Sequence, residues 1–264
     1  MENNRAALCF ARYNEYVYAG LSSNGDVLRS VNLSKWDNFL QVGDEAVVSM
    51  IAWKNWLFMG TSPNGKVWVH DFATGTSYES IKTKDQCVSS FAIYNKKIYA
   101  ATSPQGIVYS FDGKGWKEEY IAYGSGVTSM SGGNLLYVFL KSAETAVSYN
   151  GYLWSTIPLN PLGSQGGSSP IGTVASFRKV NVSADLGWNT PPSPCHNIYS
   201  SVIDKDEVVF GGQGGSVFRY NGESMARIFQ TDSGDVLSIV NIGTTMNIAA
   251  IGKTIYLLDE GKSQ

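Results

Sequence analysis

Charge is what this sequence has least of. Asp, Glu, Lys and Arg make up 16% of its 264 residues, with a net charge of −2, against the quarter usual in globular chains. No stretch is strongly basic. That removes the clustered Lys and Arg on which phosphate neutralisation depends, and with them nucleic acid as a partner. The densest charge groups, Lys114-Gly115-Trp116-Lys117-Glu118-Glu119 and Asp204-Lys205-Asp206-Glu207, mix signs and read as solvated hairpin tips.

Histidine is scarcer still, at His70 and His196 alone. His70 occupies a repeat position equivalent to Ser110, which predicts a solvent-facing strand residue. His196 adjoins Cys195, but adjacent strand residues point to opposite sides and do not form a nucleophile–base pair. The three cysteines (Cys9, Cys87, Cys195) are odd in number and far apart. They fit neither a disulfide framework nor a zinc site, and suit a reducing compartment.

No apolar run approaches the ~20 residues that span a bilayer. Met1-Glu2-Asn3-Asn4-Arg5-Ala6 lacks the basic-then-apolar pattern of a secretory signal. Cytoplasmic synthesis without membrane insertion is therefore expected. Asp204, Asp206 and Glu207 resemble the start of a calcium loop but lack its Gly and its distant Glu. Gly211-Gly212-Gln213-Gly214-Gly215 follows a strand as a phosphate loop would, yet a strand and not a helix comes next. Neither cofactor nor metal is expected.

Glycine and aromatics are plentiful: 28 Gly, 15 Tyr and 7 Trp. They are arranged in a repeat. Val47-Val48-Ser49-Met50, Val88-Ser89-Ser90-Phe91 and Val127-Thr128-Ser129-Met130 each open an alternating segment. A second apolar run follows at Leu57-Phe58-Met59-Gly60, Ile98-Tyr99-Ala100-Ala101 and Leu136-Tyr137-Val138-Phe139. The first two of these end in the same Thr-Ser-Pro-x-Gly turn, at residues 61–65 and 102–106, followed by Val67-Trp68 and Val108-Tyr109. Pro presets one turn residue and Gly accepts the positive φ that tight hairpins need. Phe111-Asp112-Gly113, Tyr149-Asn150-Gly151 and Tyr220-Asn221-Gly222 mark a further hairpin. Trp36, Trp116 and Trp154 come after that region and suit a packed fourth strand.

Matching copies begin near 7, 47, 88, 127, 198 and 236. Four strands in about 40 residues, with no helical period, resembles the β-propeller superfamily over nearly the whole chain. The resemblance implies one all-β domain over 1–264, a single closed β-propeller of four-stranded blades. The interval of 71 residues before position 198 favours seven blades, with a degenerate one starting near 166. Six blades with a long insertion is the alternative. Residues 2–5 would supply the outer strand that the last copy lacks. The Gly-His and Trp-Asp signatures of WD40 repeats are missing, and the double glycine of kelch repeats occurs only at Gly132-Gly133 and Gly211-Gly212. The turn at 62–68 resembles the Asp-box of sialidase propellers, but its spacing is one residue short and it joins the second and third strands.

The terse blades are similar to propellers among virion structural proteins of tailed bacteriophages. The expected function is a non-catalytic scaffold for protein–protein interaction within a larger assembly, extending to a phage virion or tail. The irregular segment 155–196 and the strand-connecting loops would meet the partner, with Ser164, Gln165, Trp188, Pro192 and His196 as candidate contacts. A lectin is the first alternative, with Trp68 and Tyr109 as sugar-stacking platforms. A hydrolase at the channel mouth is the second and would need a carboxylate or Arg cluster. The recurrent Ser49, Ser90, Ser129, Ser200 and Ser238 read first as small polar packing residues near a crowded axis.

Overall fold

The computed structural model describes residues 7–158 and 198–259, except 124, 142–144, 205–206, 213–214, 221–224, 231–234, 243–244 and 251–254. They form six antiparallel sheets, each a meander of consecutive strands. The first holds β1 (Ala7–Tyr13), β2 (Tyr16–Leu21), β3 (Asp26–Ser30) and β4 (Asp37–Gln41). The second holds β5 (Ala46–Trp53), β6 (Trp56–Ser62), β7 (Lys66–Asp71) and β8 (Thr76–Lys82). The third holds β9 (Cys87–Tyr94), β10 (Lys97–Ser103), β11 (Ile107–Phe111) and β12 (Trp116–Ile121). Then come β13 (Val127–Gly132), β14 (Leu136–Leu140), β15 (Thr145–Tyr149) and β16 (Trp154–Pro158). The fifth holds β17 (Ile198–Asp204), β18 (Glu207–Gly212), β19 (Ser216–Tyr220) and β20 (Met225–Gln230). The sixth has three described strands, β21 (Val236–Ile242), β22 (Thr245–Ala250) and β23 (Ile255–Asp259).

The repeat's valines explain the packing. Val27, Val67, Val108 and Val217 hold the same register position on four of the third strands and are buried, as are Val47, Val88, Val127 and Val236 on the first strands. Each sheet packs on the next through such residues and through aromatics. Between the second and third sheets, Trp53, Trp56, Phe58, Phe111 and Trp116 form one cluster with ring centroids 5.0–6.4 Å apart.

The first strands of successive sheets are neighbours around an axis, and β1 meets β21 as well as β5. Every one of them carries a register shift just before its recurrent Ser or, in β1, Cys9. Such a bulge frees backbone groups from the ladder and leaves them available to a neighbouring strand.

The turns between second and third strands share a rim with the linkers that join sheets. At Gly65 the chain has φ +60° and a Cβ would lie 2.0 Å from the Asp85 carbonyl oxygen; at Gly106 φ is +75° and the distance to the Ser125 oxygen is 2.1 Å. Only glycine fits there. The linkers brace these turns in return. Asp44 accepts hydrogen bonds from Thr61 Oγ1 and Asn64 Nδ2, and Asp85 from the Gln105 amide. The repeated turn is thus a docking element between sheets.

The favoured count of seven blades does not hold at the long interval. β13 and β17 are in direct contact, with Ser129 Oγ 3.1 Å and Ser131 Oγ 2.7 Å from Ser201 Oγ. Among the described residues no other first strand stands between them, as a blade starting near 166 would require. Residues 2–5, expected to close the last sheet, lie outside the described residues. No helix among the described residues is long and apolar enough to cross a membrane.

Candidate functional site

The six first strands surround a central cavity of about 490 Å³. Its wall is set by the residue after each recurrent Ser or Cys9: Phe10, Met50, Phe91, Met130 and Ile239 form an apolar collar, with Ser201 at the sixth place. The recurrent serines line it too, and each junction between sheets is tied through that level. The Met130 amide donates to Ser90 Oγ (2.9 Å), the Ile239 amide to Ser200 Oγ (2.9 Å) and the Phe10 amide to Ser238 Oγ (3.2 Å). Ser49 donates to the Val88 carbonyl (2.5 Å), and the Cys9 thiol to the Val47 carbonyl (3.5 Å). Ser129 and Ser201 complete the belt. The serines sit at the crowded axis, where the packing reading expected small polar residues, and their hydroxyls also tie neighbouring sheets together.

Chemistry is sparse in this cavity. Among the described residues its wall includes no Asp, Glu, His or Lys, and Arg12 is its one charged side chain. The two described cysteines are poor nucleophiles. Burial pushes the Cys9 thiol far up, and burial with nearby Asp85 raises Cys87 to about 11, so both stay protonated at neutral pH. Among the described residues no group of three His, Cys, Asp or Glu could hold a metal ion.

His70 is a correction. It is buried, its ring flanked edge-on by Phe39 and Phe72 at 4.9 and 5.0 Å, with Nδ1 2.9 Å from Ser77 Oγ. The sugar-platform expectation fails at Tyr109. Tyr109 is only 3% exposed, with its hydroxyl accepting from the Lys84 amide. Trp68 is half-buried against the core between the first two sheets, its Nε1 enclosed without a partner. The Tyr109 ring therefore presents no open face for a sugar, while the Trp68 ring stays partly exposed. Ser164, Gln165, Trp188, Pro192 and His196 lie outside the described residues. The segment containing them leaves from Pro158 and returns at Ile198, on the rim that carries the second-to-third-strand turns.

That rim holds a second cleft, of about 400 Å³, which the sequence did not single out. Pro104, Ile107, Ile121 and Tyr123 line it beside the Lys84–Glu118 ion pair (2.5 Å). Tyr123 is 90% exposed. Nothing in the repeat marks it, because it stands on a linker whose other copies carry no aromatic at that place.

No family model matches the sequence, and no curated protein is close enough to match it. Solved structures do resemble it. A structure of RRP9 WD40 repeats aligns over 97% of this chain and 77% of its own, with 10% identity and a TM-score of 0.60. YCF48 bound to D1 peptide aligns over 96% of this chain and 78% of its own, with 9% identity and a TM-score of 0.57. The chain is a β-propeller. Against the extracellular domain of the two-component system BT4673 from B. thetaiotaomicron it aligns over 98% of its length, with 14% identity and a TM-score of 0.58. It spans about a third of that chain, which it covers to 32%. At these identities the likeness shows the propeller fold and nothing finer. The WD40 likeness comes without the repeat's signature residues, so this propeller reaches the architecture with its own Val-x-Ser and Thr-Ser-Pro-x-Gly elements.

Proposed function

We propose that this protein is a non-catalytic propeller scaffold that binds other proteins through the loop-bearing rim of a closed, six-bladed ring. The observation that carries this is the cavity wall: among the described residues it offers neither carboxylate nor imidazole, and its recurrent hydroxyls are engaged between blades. General acid–base and nucleophilic chemistry would need such groups converging on a substrate. The amide-to-serine bond joining β1 and β21 supports closure of the ring.

The loop-bearing rim is the better interaction surface. Exposed Tyr123 stands beside the Pro104 cleft there, and a large aromatic next to an apolar pocket is the composition of an interface anchor. A neighbour of the same fold, YCF48, is bound to a peptide. Membership of a phage virion or tail is the most specific form of this reading. Native size in extract from the protein's own source, by size exclusion with antibody detection, tests it. Elution in a very large particle is the expected result. Elution near 28.7 kDa, the mass of one chain, would sink the scaffold and bring glycans back as ligands.

A further inference from the structure

We propose that the central cavity binds a small anionic amphiphile, with its apolar tail against the collar and its carboxylate on Arg12. A volume of about 490 Å³ falls within the range of roughly 300–1,000 Å³ found for small-molecule sites. The collar of Phe10, Met50, Phe91, Met130 and Ile239 favours an apolar body. At the mouth, Ile93 is 39% exposed, apolar surface that such a body would cover.

The head group follows from charge. Arg12 Nε donates to the Asn14 carbonyl at 3.1 Å, which orients the guanidinium. No carboxylate among the described residues lies within ion-pair distance of it. Ala52, Ile93 and Gly132 hold the equivalent strand position in the next three blades and bring no charge. The two terminal amino groups are therefore left to form a bidentate fork with a carboxylate. A cationic head would be repelled at the same place, and a neutral one would lose the charge-assisted bonds.

This site is independent of the rim and survives or falls separately from the scaffold reading. The test titrates octanoate, octylamine and 1-octanol into the full chain by calorimetry at low salt. Octanoate is expected to bind about tenfold more tightly than either of the others, as one charge-assisted interaction would give. Arg12→Gln should erase that preference. Ile93→Glu, at a 39% exposed position and checked for an unchanged unfolding transition, should abolish octanoate binding by placing a carboxylate at the mouth. The proposal is overturned if octanoate binds no better than octanol, or if either variant binds octanoate as the wild type does.

Discussion

His70 shows how a one-residue offset in aligning a repeat changes the reading of a side chain. The strand register puts it where Phe111, not Ser110, stands in the next blade, a buried position, and Phe39 of the preceding blade and Phe72 close over the ring. Burial holds its pKa below the ordinary histidine value, against the opposing pull of Asp71. The folded state therefore favours the neutral ring, while the unfolded chain takes up a proton once pH falls to about 6.5. Stability from this residue is fully present above that value and drains away as pH drops through it. Urea unfolding followed from pH 7.5 to 5 should show a loss of stability that is smaller in His70→Phe, whose ring packs against the same two neighbours. Parallel pH series for the two proteins would acquit the imidazole. The repeat held this in its alignment, since Val67 and Val108 set His70 against the buried Phe111, but the enclosing Phe39 sits on a different sheet and was not legible.

The first strand of each blade is the element on which the ring depends. Its Val-x-Ser pattern was legible, and so was the small polar character of the serine. The hydrogen bond was not, since its partner lies 40 residues away on the next sheet, where no local signature marks it. Ser90→Ala would leave the buried Met130 amide without its acceptor, at a cost of about 1–3 kcal/mol. Cys9→Ser should cost far less, because five of the six blades already carry serine at that place. Chemical denaturation of both variants decides the matter: equal losses would mean that volume, not the hydrogen bond, sets the preference. The same logic explains why the turn motif was easy to read. Its glycines answer to a local φ and a backbone contact, so the residue type itself carries the information. The short hairpins between first and second strands carried no such mark. Asn14, Lys54 and Asn95 take positive φ there without a glycine.

Blade number is a property of the whole molecule, and spacing alone left it open. An interval of 71 residues admits either a decayed blade or a long excursion, and only the contact between β13 and β17 separates them. Elsewhere the linkers between blades need just four or five residues: 42–45, 83–86 and 122–126. Replacing 159–197 by a five-residue linker should thus leave a cooperatively folding propeller, with Tm within about 4 °C of the parent if the change costs no more than ~1 kcal/mol. Loss of cooperative unfolding would mean that the segment contributes an inner strand after all, and the six-bladed ring would fall with it. The shortened chain also separates scaffold from contact. It lacks Ser164, Gln165, Trp188, Pro192 and His196 but keeps Tyr123 and the Pro104 cleft. A shortened protein that still enters its native particle would assign binding to the described rim. One that folds but is left out would assign it to the excursion, whose two ends open on that same rim.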